Sequence, residues 1–522
     1  MKGRGAGVLL GAVLLLGGGG FAALSSTDSS PLPGTPGPTP SSSSPGILRL
    51  LSENRYPSLD PARLTSPRER DVGRLLYRTL MTYGPDGTSL VPDLSSAPGV
   101  PSDGGRAWTY HLQPGVEYQD GRPVVAADVV RGLTRAVAAH APPGELATAT
   151  AVDPSTVVLR FAKPFVDADA VATLMATAPV PATGPLATGP YTVASLRPGV
   201  SFRLVPNPTW SGRTLKVDAE EIDAELGLDG TTIDRRILAG LGGDAWAVTD
   251  KPLLEPTTSA PKQRVIKGPD ASVLFTALNT RRGPFADLKV RQAFEVAYPL
   301  KATRAVAGGS AVGDFATDLL PPYLPAHLDA DFYRQEEKGF AGDPVRAKRM
   351  LTDAGYPQGV TVTTVVPTTG TGAAGALQAG LAPAGFRLRI TTVDPANYYA
   401  VIGVPATQPD LAGYAWSPDW LTPGAYLAPL FTCAALTPRD NHNVAEHCDR
   451  GFDAQLDAAL AETDNDVRER EWSALNRRLV EEAVIVPRFY GLSSSLVGAG
   501  VEGARSSLAF GGAVDVGNVT VR

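Results

Sequence analysis

The stretch WTYHLQPGVEYQDGRPVVAADVV, from Trp108 to Val130, decides the fold of this chain. Trp108, Tyr110 and Leu112 alternate with polar residues, which is the period of a half-buried strand. A Pro-Gly pair and an Asp-Gly pair then mark two turns. Between them the residues around Val116 predict a second short strand, and an Ala-Asp pair opens a helix. The expected order is strand, turn, strand, turn, helix.

This order resembles the signature of the extracytoplasmic solute-binding proteins that serve ABC importers of peptides and nickel. In that family the tryptophan-led strand, the P-G-V turn, the D-G-x-P turn and the helix-opening aspartate recur in this order and spacing. Other stretches resemble the same family, namely Pro57–Pro61, Thr188–Tyr191, Pro284–Phe294 and Ala347–Pro357. The resemblance covers roughly Ile47 to Tyr490 and is weak between about residues 211 and 260.

A chain of 522 residues is too long for one core, so several domains are expected. The resemblance implies an α/β, two-lobed, periplasmic-binding-protein-like fold of the large class with an extra subdomain. Two strands that cross near Ala277 and near Pro487 would form a hinge, with ligand in the cleft between the lobes. The implied divisions are lobe 1 at 47–90, 184–277 and 488–522, the extra subdomain at 91–183, and lobe 2 at 278–487.

The first residues predict export. Lys2 and Arg4 precede an apolar run that ends at Leu24, so residues 1–24 fit a signal peptide or, alternatively, an uncleaved membrane anchor. Residues 25–46 are rich in Ser and Pro and predict a disordered linker. Many Gram-positive members of the family carry a lipid-modified cysteine after the apolar run, and this chain has none there. We therefore expect an extracytoplasmic protein, periplasmic, at the cell surface or secreted, without a lipid anchor.

The candidate ligand site is the segment WSPDW. In peptide-binding relatives a W-x-x-D-[YW] segment lies in the cleft, which implies that Asp419 anchors the ligand ammonium and that Trp416 and Trp420 form walls. A water-excluding cleft favours such a pairing, because a charge-assisted hydrogen bond contributes about 1.5–3 kcal/mol. Alternatively, Asp419 caps a turn after Pro418 and both tryptophans belong to the core. Asn279 is a further candidate for ligand binding, with a hinge turn as its alternative.

Cys433 and Cys448 are the only cysteines of the chain. Export favours a disulfide between them, which would stabilise the fold by about 3 kcal/mol through the unfolded state. His442 and His447 lie inside that loop, but the spacing fits no standard zinc pattern. The sequence therefore predicts a disulfide and no metal site.

Two other partner classes are not expected. Gly370–Gly375 reads G-x-G-x-x-G, and Asp394 follows, as in a dinucleotide-binding fingerprint. The segment lies in the middle of an exported chain, ahead of a helix that matches a scaffold helix of the family, so no cofactor is predicted. The formal charge of −6 provides no strong positive field, and nucleic acid is not an expected partner.

These observations predict a binding protein and not an enzyme. The first hypothesis is a monomeric receptor that captures a small solute, a peptide above all, and delivers it to the permease subunits of an ABC transporter. The second is the same fold binding a non-peptide solute, such as an opine, an oligosaccharide or a metal chelate. The third is a secreted hydrolase, which would need two carboxylates converging in one cleft.

Overall fold

The computed structural model describes residues 46–140, 143–212, 215–240, 247–249, 264–333 and 335–521. The expected signal or anchor segment at 1–24, and all but the last residue of the expected linker at 25–46, lie outside the described residues. Within the described ranges, no helix is both long enough and apolar enough to span a lipid bilayer.

Strands and helices alternate along the chain, as an α/β fold requires. The strands are β1 (Ile47–Leu51), β2 (Met81–Tyr83), β3 (Leu90–Pro92), β4 (Val100–Ser102), β5 (Ala107–His111), β6 (Leu146–Asp153), β7 (Thr156–Phe161), β8 (Tyr191–Arg197), β9 (Ser201–Pro206), β10 (Glu221–Glu225), β11 (Ala247–Thr249), β12 (Val265–Leu278), β13 (Asp314–Phe315), β14 (Val360–Pro367), β15 (Phe386–Val393), β16 (Leu411–Trp416), β17 (Ile485–Leu496), β18 (Val501–Glu502) and β19 (Thr520–Val521). The helices are α1 (Pro67–Leu76), α2 (Ala126–Ala139), α3 (Ala168–Val171), α4 (Gly230–Ala239), α5 (Leu288–Ala297), α6 (Leu300–Val306), α7 (Pro344–Asp353), α8 (Thr371–Leu381), α9 (Tyr398–Ile402), α10 (Gly424–Phe431), α11 (Arg450–Ala461) and α12 (Asn465–Glu481).

Three larger sheets organise these elements. A five-stranded sheet has the order β11-β1-β10-β9-β8, a four-stranded sheet has β4-β5-β7-β6, and a six-stranded sheet has β13-β17-β12-β16-β14-β15. The chain starts in the first sheet, leaves it for the second, returns to it, and then builds the third. We propose that the sheets correspond to lobe 1, the extra subdomain and lobe 2, with the boundaries given above.

The opening stretch folds largely as its pattern predicts. Its first strand is β5 and its helix is α2, but the second strand expected around Val116 is wrong. Only an isolated bridge between Glu117 and Pro123 forms there, flanked by hydrogen bonds from the Tyr118 N–H to the Arg122 carbonyl and from the Val124 N–H to the Val116 carbonyl. Tyr118 is buried, and its hydroxyl donates to the Asp128 carboxylate at 2.9 Å. The helix-opening aspartate therefore ties the turn to the helix.

Two long antiparallel strands, β12 and β17, connect the five-stranded and six-stranded sheets. Their register breaks between Pro269 and Val273. Before the break, Val265 packs on the cluster that contains Leu51 of the first sheet, and after it Val273 belongs to the core beside the third sheet. The hydrophobic neighbours of β12 thus change across this bulge, a few residues before the expected crossing near Ala277.

Side chains of lobe 2 hold the bulge in place. The hydroxyl of Tyr323 donates to the Asp270 carbonyl at 3.1 Å, and that of Tyr426 donates to the Ala271 carbonyl at 2.6 Å. On the facing strand stands Gly491, where a Cβ atom would lie 2.2 Å from Asp270 Oδ1. A glycine at this position leaves room for the Asp270 side chain.

The extra subdomain packs directly on lobe 2. Lys163 forms an ion pair with Asp457 of α11 at 2.9 Å, and the Val166 N–H donates to the Leu460 carbonyl at 2.9 Å. The largest hydrophobic cluster accordingly contains residues of β5, β7, α2 and α3 together with residues of β12, α10, α11 and α12. The two halves of the molecule are therefore in contact in this structure.

The cysteine prediction is confirmed, since Cys433 and Cys448 form a disulfide. The histidines of that loop bond to protein groups. His447 Nδ1 donates to the Phe431 carbonyl at 2.6 Å. Across the described ranges, no group of three or more His, Cys, Asp or Glu side chains is arranged to hold a metal ion. The glycine-rich Gly370–Gly375 segment leads into and begins α8, whose leucines are buried against the core.

Candidate ligand-binding site

The segment WSPDW lies where β16 ends. Trp416 is the last residue of this strand and pairs with Val273 of β12. Pro418 has no N–H to continue a ladder, so the chain leaves the sheet and runs to α10. The indole N–H of Trp416 donates to the Ala425 carbonyl in α10 at 2.9 Å. This bond fixes the loop that carries Asp419.

The side chain of Asp419 is exposed, whereas the residues on both sides of it are buried. Among the residues that the structure describes, none donates a hydrogen bond to this carboxylate, so it does not cap the turn after Pro418. The Asp419 charge acts on two nearby groups, the guanidinium of Arg70 and the imidazole of His442. The carboxylate is therefore available to a ligand and lies beside a buried cation.

Trp420 lies between the two halves of the molecule and is 8% exposed. Its indole N–H donates to Asp167 Oδ2 at 3.3 Å, and its ring meets that of Phe165 edge-on at 6.3 Å between centroids. Thr422 donates to the same Asp167 oxygen at 2.6 Å. Burial raises the pKa of Asp167, and these two hydrogen bonds oppose the rise. The role of Trp420 as a wall of the ligand site stays a prediction.

Arg70 reaches Asp419 from the other lobe. It lies in α1, which begins with a capping box formed by Ser66 and Glu69. Arg70 is 6% exposed, and its Nη1 donates to the main-chain carbonyl of Asp419. Burial lowers the pKa of Arg70, and the Asp419 charge is the largest influence that opposes this. A lobe 1 cation thus touches the residue that the sequence singles out in lobe 2.

A narrow recess with room for about one water molecule lies beside Arg70. The hydroxyl of Tyr83 lies there and accepts a hydrogen bond from the Leu421 N–H at 3.1 Å, which is a second contact between the lobes. Polar and aromatic side chains dominate the lining, which consists of Arg70, Arg74, Thr79, Thr82, Tyr83, Thr173, Met175, Ala509 and Phe510. None of these residues comes from 278–487, the proposed lobe 2, so the recess lies beside the contact between the lobes and not across it.

The His442 side chain packs against β16, at the start of the WSPDW segment. Its Nδ1 lies 2.8 Å from the Tyr414 hydroxyl, and its ring contacts that of Trp416 at 5.3 Å between centroids. Burial lowers the pKa of His442, and the Asp419 charge opposes that effect. A neutral imidazole at neutral pH leaves the Asp419 carboxylate without a second cationic neighbour at this side.

Asn279 stands at the end of β12 and is 1% exposed. Its Nδ2 donates to Glu446 Oε1 at 3.0 Å, and its Oδ1 accepts from the Arg281 N–H at 3.1 Å. Protein groups thus occupy both ends of this amide, as the hinge-turn alternative expects. The structure brings Trp416, Asp419 and Trp420 together and places Asn279 in a turn of its own.

Sequence reasoning missed three residues of this site, namely Arg70, Tyr83 and Asp167. Each one lies more than 250 positions from its partner in the loop. No local motif marks these residues, because only the docking of the lobes brings them to Asp419, Trp420 and Leu421.

Two α/β halves joined by paired strands define a two-lobed binding protein. The chain belongs to the bacterial extracellular solute-binding proteins, family 5. The family model described as "Bacterial extracellular solute-binding proteins, family 5 Middle" matches residues 89–437, more than half of the chain. The expected family is therefore confirmed.

Similar proteins extend over nearly the whole chain. It is 24% identical over 512 residues to di/tripeptide-binding protein 2 of Pseudomonas aeruginosa, covering 89% of this chain and 93% of that relative. It is 26% identical over 445 residues to heme-binding protein A of Haemophilus influenzae, covering 75% and 77%. Both coverages span most of each relative, so the likeness is not confined to one domain.

Solved structures agree on the fold. The clavulanic acid biosynthesis oligopeptide binding protein 2 superimposes with a TM-score of 0.82 at 29% identity, covering 91% of this chain and 95% of that one. The dipeptide binding protein from Pseudoalteromonas sp. SM9913, in complex with Met-Leu, gives a TM-score of 0.70 at 21% identity, covering 91% and 100%. The predicted two-lobed fold is confirmed.

Proposed function

We propose that this protein is an extracytoplasmic receptor that captures a small peptide between its lobes and delivers it to the permease of an ABC importer. The family supports solute binding, and relatives named for binding di- and tripeptides support a peptide. The observation that carries the proposal is the exposed Asp419 carboxylate. It is close enough to Arg70 and His442 for its charge to act on both, and it receives no hydrogen bond from the described residues.

The expected mechanism is capture and closure. The ligand's α-ammonium pairs with Asp419, and Trp416 and Trp420 limit the water around that pair. Closure strengthens the interaction because a charge-assisted hydrogen bond gains when solvent is excluded. Ligand that binds the closed form better than the open form shifts the population toward closure. The closed form then docks on the permease, and the peptide leaves the receptor unaltered.

The rest of the proposal concerns where the receptor works. We infer export by the N-terminal segment, and the Cys433–Cys448 disulfide supports an oxidising compartment. The absence of a cysteine after the apolar run of the sequence argues against a lipid anchor. The functional unit is a monomer that meets its permease subunits at the membrane.

Thermal unfolding with a panel of di- and tripeptides tests the function. We expect a peptide to raise the Tm of the wild-type protein. Asp419→Asn should weaken its binding about ten- to a hundredfold, since one charge-assisted hydrogen bond is lost. Asp353→Asn, exposed at the end of α7, is the matched control and should bind like the wild type.

Other outcomes would contradict the proposal. A non-peptide solute, such as an opine or heme, that stabilises both the wild type and Asp419→Asn while peptides do nothing would favour the second hypothesis. Mass spectrometry of peptides after incubation should find them intact, and cleavage products would favour a hydrolase.

A further inference from the structure

A small cavity within residues 278–487, the proposed lobe 2, shares no lining residue with the WSPDW segment. It has room for about one water molecule or one small ion. Residues of α5, α12 and β17 and of the segment 331–340 surround it. Its lining includes the side chains of Glu295, Asp331 and Gln335, which each present an oxygen to which no described residue donates a hydrogen bond.

Two of these oxygens are deeply buried. Glu295, in the last turn of α5, is 4% exposed, and its Oε2 has no partner. Gln335 is 5% exposed, and its Oε1 likewise has none. The amide Nε2 of Gln335 donates to the Glu295 main-chain carbonyl at 2.6 Å, so the other end of this amide is an acceptor. Buried acceptors without a partner cost free energy, which points to a ligand that satisfies both.

Asp331 adds a second carboxylate to the cavity. Its Oδ2 accepts from the Glu336 N–H at 2.6 Å, which leaves Oδ1 for a ligand. Within the described ranges, no Lys, Arg or His forms an ion pair with the carboxylate of Asp331 or of Glu295. Arg291, one turn earlier on α5, donates instead to the carbonyls of Phe285 and Glu482. The two carboxylates therefore have no cationic neighbour bonded to them in the described structure.

The hydroxyl groups of the lining do not compensate for this negative charge. The Tyr333 hydroxyl donates to the Val480 carbonyl at 3.0 Å. The Thr317 hydroxyl donates to the Leu328 carbonyl at 3.0 Å. The C-terminal end of α5, which carries a partial negative charge, also lies here. A bound water molecule would satisfy the buried oxygens but would leave these charges unbalanced, whereas a cation does both.

The protonation of Glu295 depends on the same surroundings. Burial raises the pKa of Glu295 well above its usual range, and the Asp331 charge raises it further. Tyr333 is the other titratable side chain of the lining, and α12 and β17 contribute only Val480 and Pro487 to it. Without a counter-charge, the Glu295 carboxyl is therefore biased toward its protonated form. A cation that binds here has to displace this proton.

We propose that Glu295, Asp331 and Gln335 bind a calcium ion, which joins the end of α5 to the segment 331–340. Carboxylate and amide oxygens select hard cations. Calcium accepts such oxygens in irregular geometry and completes its shell with water, which has access on the side of the half-exposed Asp331. Magnesium demands a near-ideal octahedron and gives up its water reluctantly, so it suits this narrow cavity less well.

Calorimetric titration of the EDTA-treated, dialysed protein with CaCl₂ tests the inference. The wild type should bind one ion with a Kd of about 0.1–1 mM, as calcium sites of extracellular modules do, and its Tm should rise. MgCl₂ should bind about tenfold more weakly or not at all. Calcium should bind more tightly at pH 8.5 than at pH 5.5, because the Glu295 proton opposes binding at the lower pH.

Glu295→Gln separates binding from folding. It should lose the response to calcium, yet its Tm in EDTA should match that of the wild type, because a neutral amide replaces a largely protonated acid of the same size. Asp331→Asn should weaken calcium binding about tenfold or more, since one of two anionic ligands is lost. Glu469→Gln, exposed on α12, removes one negative charge elsewhere and should bind calcium like the wild type.

Two results would overturn the inference. If calcium neither binds the wild type nor raises its Tm, the cavity serves a water molecule beside a protonated acid. If Glu295→Gln responds to calcium like the wild type, the ion binds elsewhere. Peptide binding is measured separately at Asp419, so either result leaves the proposed receptor function standing.

Discussion

Asp419 keeps an exposed carboxylate while Arg70, which bonds to its main chain, is buried in the other lobe. The two charged side chains differ in hydration, since one is exposed to solvent and the other is not. If the proposed function holds, Asp419 loses hydration on closure and gains an ammonium, whereas Arg70 is already buried and holds the main chain of the loop.

A single histidine should make stability depend on pH. His327 Nδ1 lies 2.8 Å from the Leu320 carbonyl and 2.9 Å from Asp318 Oδ2. Burial alone would lower the pKa of His327, but the hydrogen bond and charge of Asp318, with a smaller contribution from Asp329, raise it above its usual value. The protonated form is therefore favoured in the folded state.

A raised folded-state pKa contributes stability that is complete below the unfolded value of about 6.5 and is lost as pH rises through the folded value. We expect His327→Gln to lower the free energy of unfolding by about 1 kcal/mol at pH 5.5 and by less at pH 8.5. Urea unfolding at both pH values measures the difference. His140→Gln, exposed after α2, is the control, and an equal loss at both pH values would refute the prediction.

At the scale of elements, the hinge depends on how β12 and β17 accommodate a bulge. The sequence of β12 contains Gly268-Pro269-Asp270, and a proline inside a strand signals an interruption of the ladder. Lobe 2 tyrosines bind the bulge carbonyls, so the position of the hinge follows from packing as well as from the strand itself.

Gly491→Ala should disturb this hinge. A Cβ atom there would lie 2.1 Å from Ser272 Oγ and 2.2 Å from Asp270 Oδ1, so these two buried side chains, which are bonded to each other, have to move. We expect a loss of about 1–3 kcal/mol of unfolding free energy and weaker ligand binding. Gly375→Ala is the matched control, because nothing lies within 4 Å of a Cβ atom at that site in α8. Helix propensity should make the control more stable, by up to about 1 kcal/mol. Unchanged unfolding of Gly491→Ala in urea would count against a rigid bulge.

At the scale of the whole molecule, the sequence predicts what is local or what a family motif carries. The strand at Trp108, the helix after Asp343 and the disulfide at Cys433 all follow from short patterns that the structure reproduces. The contacts of Arg70 and Asp167 with the WSPDW loop could not be predicted, because they arise only when separate domains dock. Half of the candidate site therefore has no signal in the linear sequence.

The docking of the extra subdomain on lobe 2 gives the last prediction. Asp167 accepts hydrogen bonds from Trp420 and Thr422, so Asp167→Ala leaves a buried indole N–H and a half-buried hydroxyl without this acceptor. We expect a loss of about 1–3 kcal/mol in unfolding free energy. Asp167→Asn should stay close to the wild type, because its amide oxygen still accepts and burial already favours the uncharged acid.

Hydrogen exchange distinguishes two ways in which this contact could matter. If the subdomain and the loop open as one unit, Asp167→Ala should speed exchange in residues 163–172 and 416–427 together, and peptide affinity should fall with it. Faster exchange in the loop alone would show that the subdomain stays closed on α11 through Lys163 and Val166. Equal exchange in Asp167→Ala and Asp167→Asn would show that Asp167 does not couple the opening of the subdomain to the opening of the loop. The first outcome would mean that the ligand loop is ordered only while the subdomain holds it, which makes docking of the halves a condition for binding.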